Sequence, residues 1–243
     1  MSETTTKGRF GWVMYDWAAQ PFFTVIVTFI FGPYFVNVVT GDPLRGQVLW
    51  ADTQAYAGIA LALTAPFLGA FADAGGRRKP WVTGCSLVTI VACSALWFAT
   101  PEADDTRLFF IVSLVVIGII GAESAIVFNN AMLPDLVSEK GLGKLSGQGW
   151  AMGYAGALLA LPIMLWVTGQ LPGVPGPQWD ASLRIGERLT GPFVAIWFAV
   201  FMIPFLAFTP EHPARAAPTP KVLDTVRGTW ATIKNLPKRP NVL

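Results

Sequence analysis

Residues 109–121 read Phe-Phe-Ile-Val-Ser-Leu-Val-Val-Ile-Gly-Ile-Ile-Gly, an apolar run without charge and without alternation of apolar and polar residues. Strands of a membrane barrel would alternate, because successive side chains point to opposite faces of the barrel wall. The surrounding run, 108–128, has about the twenty residues that an α-helix needs to cross a hydrocarbon core about 30 Å thick. This stretch therefore predicts a transmembrane helix.

The composition of the whole chain agrees with a membrane environment. Of its 243 residues, 53% are hydrophobic and only 13% are charged, and the mean hydropathy is +0.51. Soluble domains carry about 25% charged residues, because polar side chains must cover their core against water. Lipid removes that requirement for the helix faces that it contacts. These values exclude an ordinary soluble domain, and the net charge of +2 is too small to indicate a nucleic-acid partner.

The chain offers few residues for chemistry that depends on a metal or cofactor. Its one histidine is His212, and its two cysteines, Cys85 and Cys93, fall within one apolar run, about 12 Å apart along a helix. At that distance they cannot form a disulfide with each other. The sequence of 243 residues contains no phosphate-binding P-loop pattern. We therefore expect no cofactor and no metal site.

Six long apolar runs occur along the chain, separated by charged or turn-forming residues. The first contains Asp16 and is longer than the apolar core of a signal peptide, so we expect it to stay in the mature protein. The sequence thus predicts a six-helix transmembrane bundle within residues 1–208, followed over residues 209–243 by a cytoplasmic linker or a truncated bridge to a missing second half. The predicted spans are 10–39, 55–72, 81–99, 108–128, 150–167 and 190–208.

Lysine and arginine residues are concentrated on one side of the predicted spans. The segments that share a side with the two termini carry thirteen of these residues, and the segments on the opposite side carry four. Because basic flanks are retained in the cytoplasm, this bias predicts that both termini are cytoplasmic. Tryptophans near the span ends fit the aromatic belts at the two interfaces; they are Trp12, Trp50, Trp81, Trp97, Trp150 and Trp166.

Two of the predicted spans contain a carboxylic acid, which hydrocarbon tolerates poorly. Asp16 is predicted about 9 Å and Glu123 about 8 Å from the cytoplasmic ends of their spans, so their depths match. Such residues usually face a protein interior or an aqueous cavity. Asp16 also begins a polar series with Gln20, Thr24 and Thr28, whose spacing of four keeps them on one slowly drifting helix face. We expect these five residues to line a substrate or ion pathway.

Other interpretations of these residues are open at the level of the sequence. Asp16 could cap a helix that begins deeper, with the threonines bonded to their own helix, and Glu123 could make a structural hydrogen bond to a neighbouring helix. The two carboxyls could instead serve an intramembrane enzyme as a pair. The chain could also be a membrane receptor or scaffold that moves no solute.

Small residues recur along one side of the fifth predicted span. Gly149, Gly153 and Gly156 follow one another at spacings of four and three, which keep them on one helix face. Residues without bulky side chains allow helices to approach closely in lipid. We expect this face to pack against another helix of the bundle.

The loop between the second and third predicted spans carries the most specific motif. Residues 69–81 read Gly-Ala-Phe-Ala-Asp-Ala-Gly-Gly-Arg-Arg-Lys-Pro-Trp. The glycines permit close helix approach and a turn, and the basic cluster suits anionic headgroups. The segment resembles the cytoplasmic signature of the major facilitator superfamily, roughly G-x-L-A-D-x-x-G-R-R/K. This resemblance implies a gating loop, whose residues here are Gly69, Asp73, Gly76, Arg77 and Arg78.

Two further stretches resemble the vacuolar amino-acid effluxer family linked to autophagy and its bacterial relatives. One is residues 15–22 in the first span; the other is residues 130–135 together with 146–156. Ala19 and Gln20 depart from the Asn-Ser pair of that family's first motif. The resemblance implies movement of small solutes across a membrane, which in the fungal branch are amino acids.

The implied fold is all-α, with six transmembrane helices arranged as two three-helix repeats of inverted topology, the amino-terminal half of a major facilitator. Helices one, two, four and five would border a central cavity, and this half would rock against a partner half. The implied partners are a small-molecule solute, the lipid bilayer, and either a carboxy-terminal six-helix half or a second copy of the chain. The implied location is a bacterial inner membrane.

Overall fold

The computed structural model describes residues 4–73 and 77–211, which form helices joined by turns and loops, the longest of them over residues 168–184. No strand occurs among these residues. Beyond residue 211, the predicted cytoplasmic segment 209–243 lies outside the described residues. In chain order, the described α-helices are α1 (Thr6–Pro21), α2 (Phe31–Tyr34), α3 (Pro43–Asp73), α4 (Lys79–Ala95), α5 (Asp105–Ala131), α6 (Leu133–Leu136), α7 (Glu139–Val167), α8 (Ile185–Arg188), α9 (Thr190–Phe201) and α10 (Ile203–Phe208).

Several helical segments are long and apolar enough to cross a bilayer. The prediction of an all-helical, multi-pass membrane protein is thereby confirmed. The remaining predicted span, 55–72, lies within α3, whose last turns include side chains outside the described part of the chain. Within the described part there are five such segments: Thr6–Val39, Lys79–Phe98, Asp105–Leu136, Glu139–Val167 and Ile185–Phe208.

The helices begin earlier than the apolar runs predict. α7 begins at Glu139 instead of residue 150, and α3 begins at Pro43 instead of residue 55. Hydropathy marks only the part of a helix that lies in hydrocarbon, whereas the hydrogen-bonded backbone continues into polar sequence. At α3 the start has a local cause, because Asp42 Oδ1 accepts from the Leu44 N–H at 2.9 Å and proline suits a first helical position.

The first membrane segment differs from the continuous α-helix that its apolar run predicts. After α1, residues Phe22–Phe29 and Phe35–Val39 form π-helices. Between them the backbone bends at Ile30, where φ is −121° and ψ is −62°. Pro33 follows this bend and removes the N–H that the carbonyl of Phe29 would accept from in an α-helix. Proline therefore contributes to the break.

Pro21 has a similar effect where α1 ends. It lacks the N–H that would bond the carbonyl of Trp17, four residues earlier. The indole Nε1 of Trp197, on α9, donates to this carbonyl at 3.1 Å instead. A donor from a distant helix thus satisfies a carbonyl that the local sequence leaves open.

The helices pack in a small number of pairs. α1 lies against α7, α9 and α10; α5 lies against α3 and α4; and α4 also packs on α9. The first segment touches α5 at two points. The Trp12 indole Nε1 donates to the carbonyl of Asn129 at 2.9 Å, and a Cβ on Gly118 would lie 3.3 Å from the Phe22 ring.

Basic residues gather at one end of the bundle, which we call the basic end. It contains the starts of α1, α4 and α7 and the ends of α5 and α10, joined by hydrogen bonds between the α4 start and the two helix ends. Among the described residues, the basic end holds Lys7, Arg9, Arg77, Arg78, Lys79, Lys140 and Lys144, whereas the opposite end holds Arg45, Arg107, Arg184 and Arg188.

Candidate functional site

The polar series on the first segment begins inside the bundle and becomes exposed along its length. Asp16, Gln20 and Thr24 are half-buried, whereas Thr28 is exposed and its hydroxyl donates to the carbonyl of Phe23 at 2.9 Å. From residue 22 onward the π-helix has more residues per turn than an α-helix. Residues four apart are then displaced less around the helix axis, which favours a shared face for these side chains.

Asp16 lies where α1 comes close to α7. A Cβ added to Gly149 would collide with Asp16 Oδ2 and lie 3.0 Å from the Trp12 ring. A Cβ on Gly153 would lie 3.4 Å from the Asp16 Cβ and 3.5 Å from the Gln20 Cβ. The glycines of α7 therefore leave the room in which the carboxyl of Asp16 sits.

The position of Asp16 within α1 rules out a capping role. α1 begins at Thr6, and the hydroxyl of Thr5 caps it by accepting from the Gly8 N–H at 3.2 Å. Asp16 lies ten residues further along, in the helix interior. The interpretation of Asp16 as a helix cap is therefore wrong. For Thr28, however, the hydroxyl does bond to its own helix, as that alternative expected.

Glu123 lies on α5 at nearly the same level as Asp16. The contact between Trp12 and Asn129 fixes the relative height of the two helices, which run in opposite directions. Asp16 lies four residues, about 6 Å, from Trp12, and Glu123 lies six residues, about 9 Å, from Asn129. Both carboxyls are therefore the same distance inside the bundle to within about one helical turn.

The two carboxyls share a lack of partners. Within residues 4–73 and 77–211, no hydrogen bond or ion pair reaches the side chain of Asp16 or Glu123. Both side chains are half-buried. A carboxyl at this depth requires water, a proton or a bound cation to offset the loss of hydration. This arrangement suits a solvated pathway rather than a structural hydrogen bond.

An aromatic cluster that the sequence analysis did not predict lies beside the helix face that carries Asp16, Gln20 and Thr24, which we call the polar face. The rings of Trp17 and Trp197 stack with centroids 6.0 Å apart and an angle of 17° between their planes. Gly156 faces Trp17, and a Cβ there would lie 2.7 Å from its carbonyl oxygen. Phe201 packs on both tryptophans. The cluster joins α1, α7 and α9 immediately beside Asp16.

The predicted gating loop is described in part. Gly69 and Asp73 lie in the last turns of α3, but their surroundings and the whole of Gly76 lie outside the described residues. Arg77 is exposed. The Arg78 guanidinium, by contrast, donates from Nη1 to the carbonyl of Ala131 at 2.8 Å and to Asp135 Oδ2 at 2.6 Å.

Lys79 anchors the same loop to a second helix end, a role that the sequence did not indicate. Its Nζ donates to the carbonyls of Leu206 at 2.6 Å and Thr209 at 2.8 Å, at the end of α10. Cations near the carboxyl ends of helices are favourable, because the last carbonyls lack helical donors. Together with Arg78, Lys79 ties the start of α4 to the ends of α5 and α10. The missed acidic partner, Asp135, lies in the 130–135 motif.

We expect the ion pair between Arg78 and Asp135 to stabilise the bundle measurably. Their side chains are 20% and 33% exposed, so water screens the pair only in part. A double-mutant cycle with R78Q and D135N should give a coupling energy of about 1 kcal/mol, which is about 2–4 °C in melting temperature. Thermal unfolding in mild detergent measures it.

The exposed pair of Arg45 and Asp105 provides the control for this cycle. Its nitrogen and oxygen are also 2.6 Å apart, but the side chains are 48% and 85% exposed. Because solvent screens it, the cycle with R45Q and D105N should give a coupling energy near zero. Equal coupling in the two cycles would contradict a structural role for the Arg78 pair.

A model of the family described as "Vacuole effluxer Atg22 like" matches residues 53–243. The chain belongs to this family. The "Uncharacterized MFS-type transporter YxiO" of Bacillus subtilis (strain 168) is 28% identical over 215 residues, which cover 85% of this chain and 47% of the relative. The chain spans about half the length of the curated relative that it matches.

Family membership confirms the resemblance that the motifs indicated. The printed descriptions of the family and of this relative, an effluxer and an MFS-type transporter, are both those of transport proteins. The part that matches the family model includes Glu123 and the glycines of α7, whereas Asp16 and the rest of α1 precede it. The contact between α1 and α7 therefore brings together residues from inside and outside the matched region.

Proposed function

We propose that the chain forms one six-helix half of a major-facilitator-type secondary transporter that moves a small solute by alternating access. The observation that carries this proposal is the pair of half-buried carboxyls, Asp16 and Glu123, at one level of the bundle and without partners among the described residues. In a membrane transporter such groups mark solute or ion pathways. Amino acids are the solutes we propose to test first, because the resemblance of residues 15–22, 130–135 and 146–156 to the vacuolar amino-acid effluxer family implies them.

The pairing of the helices supports an arrangement as two inverted three-helix repeats. In such an arrangement the first segment corresponds to α5, α3 corresponds to α7, and α4 corresponds to α9 together with α10. The contact of α1 with α7 then becomes the contact of α5 with α3, and the contact of α4 with α5 becomes that of α1 with α9 and α10. The contact of α4 with α9 maps onto itself. A set of contacts that is unchanged when corresponding helices are exchanged is expected of repeats related by a pseudo-two-fold axis.

Open small-residue faces on α3 and α7 support a partner for this half. A Cβ on Gly58 of α3, or on Gly143 or Gly147 of α7, would meet nothing within 4 Å. Ala55, three residues before Gly58, continues the face on α3 and is exposed. Such faces suit close packing of further helices. Because the chain spans about half of its relative, we propose that a second six-helix half covers them, in preference to a second copy of this chain.

The proposed mechanism assigns roles to the named side chains. Asp16 and Glu123 face the pathway, and one of them takes up or releases a proton as the two halves rock. Gln20, Thr24 and Thr28 offer polar contacts along the same segment. The loop between α3 and α4 controls the conformational change rather than binding the solute. Its residues are Gly69, Asp73, Gly76, Arg77 and Arg78.

Flux measurements with the full-length protein test this function. Purified transporter in proteoliposomes is expected to accumulate at least one labelled amino acid or related small solute when a proton gradient is imposed. The chain of 243 residues alone is expected to be inactive as a monomer. Flux by that monomer would contradict the need for a second half, flux by its dimer would favour a second copy, and a full-length protein that binds but never moves solute would favour a receptor.

The basic end is proposed to face the cytoplasm, as the bias in Lys and Arg predicts. In a cysteine-free background, K144C is expected to resist impermeant thiol reagents in intact cells and to react after the cells are opened. D104C, at the opposite end of the bundle, is expected to react in intact cells, because Asp104 is exposed at the start of α5. The opposite labelling pattern would overturn the topology.

A further inference from the structure

A cleft of about 580 Å³ lies between the start of α1 and the start of α7. The residues that line it run from the basic end of the two helices to Val13 and Met152, and Asp16, Gln20 and Thr24 are not among them. Two basic residues, Arg9 and Lys144, line it together with Gln148. The volume falls in the range of pockets that bind small organic groups.

Apolar side chains line the same cleft. Phe10, Val13 and Met152 line it, and the ring of Phe10 is 50% exposed. The cleft thus combines two basic residues with a hydrophobic surface. A ligand that matches this combination carries an anionic head next to a hydrocarbon tail.

The height of the cleft agrees with the phosphate level of a bilayer. Trp150 of α7 is 65% exposed, and tryptophan rings prefer the membrane interface. Lys144 precedes it by six residues, about 9 Å along the helix and away from the hydrocarbon. A lysine at this height can reach a headgroup phosphate while Met152 stays at the level of the acyl chains.

We propose that this cleft binds an anionic phospholipid, whose phosphate contacts Arg9 and Lys144 and whose upper acyl chain lies on Phe10, Val13 and Met152. Anionic headgroups are attracted to basic groups at the membrane surface, and each such group strengthens the attraction. The bound lipid would lie between α1 and α7 and extend past the level of the contact between Asp16 and Gly149.

Lipid retention by the full-length protein tests this proposal. Protein purified in detergent with equal amounts of phosphatidylglycerol and phosphatidylcholine is analysed by native mass spectrometry. We expect retained phosphatidylglycerol on the wild type and about fivefold less on K144Q, because one basic group is lost. A151F, which fills the cleft without a change of charge, is expected to reduce retention as well, since Ala151 also lines it.

K140Q provides the matched control, because Lys140 is an exposed basic residue on the same helix that does not line the cleft. It should retain lipid like the wild type, and all variants should elute and melt as folded protein. Equal losses in K144Q and K140Q, equal retention of phosphatidylcholine, or undiminished retention in A151F would overturn the proposal. Displacement of the lipid by inorganic phosphate alone would assign the cleft to a soluble anion and would overturn it too.

Discussion

Replacement of Asp16 by Asn is expected to lower the initial rate of solute uptake by the full-length transporter by at least about tenfold, which corresponds to about 1.4 kcal/mol in the rate-limiting barrier. Asparagine has nearly the same size, so the packing of Asp16 against Gly149 and Gly153 is preserved. It cannot carry a negative charge or exchange a proton. Membrane insertion is expected to be normal, because removal of a charge eases insertion.

Uptake into cells or proteoliposomes at several pH values, normalised to the amount of membrane protein, measures this effect. E123Q belongs in the same experiment and is expected to impair uptake in the same direction. D105N is the control, since Asp105 is exposed at the opposite end of the bundle. If D16N and E123Q both transport like the wild type at every pH, the two carboxyls have a structural role only.

The second large effect is expected from G156A, which should lower stability by about 1–3 kcal/mol. The added Cβ would lie 2.7 Å from the carbonyl oxygen of Trp17 and 3.3 Å from its Cα. Because these are backbone atoms, no rotamer change relieves the clash, and α7 must move away from α1. The same carbonyl accepts the indole N–H of Trp197, so that hydrogen bond is strained as well.

Melting temperature in mild detergent measures the loss, which should amount to several degrees for a protein of this size. G84A is the matched control, because Gly84 is an exposed residue of α4 where an added Cβ meets nothing within 4 Å. Alanine there should leave stability unchanged or raise it slightly, since it favours the helix. A G156A protein that melts like G84A would contradict the close contact between α1 and α7.

Much of the fold was accessible from the sequence because the bilayer imposes simple requirements. A span needs about twenty apolar residues in a helix, and such runs are visible without any knowledge of packing. The broken first segment was not accessible in the same way. Pro21 marks a carbonyl that lacks a helical donor, but the donor that satisfies it is Trp197, 180 residues later in the chain.

In the candidate site, too, some residues could be predicted from the sequence and others could not. Asp16 and Glu123 stand out because a charge in an apolar run is rare and costly. Asp135 and Lys79 do not stand out, because charged residues are ordinary in loops. Their importance depends on which helix ends they meet, and the Arg78 guanidinium reaches Asp135 across 57 residues of sequence. Only the packing of α4 on α5 brings that pair together.

The most direct test of a solute pathway along the polar face is substrate protection of a cysteine introduced at Thr24 in the full-length transporter. Cys85 and Cys93 are first replaced, and T24C is treated with a charged thiol reagent in proteoliposomes. If the pathway follows this face, the reagent is expected to react and block uptake, and the transported solute is expected to slow the reaction. G84C on the exposed face of α4 is expected to react little. Uptake that continues at its normal rate after complete modification of T24C would contradict a pathway along this face.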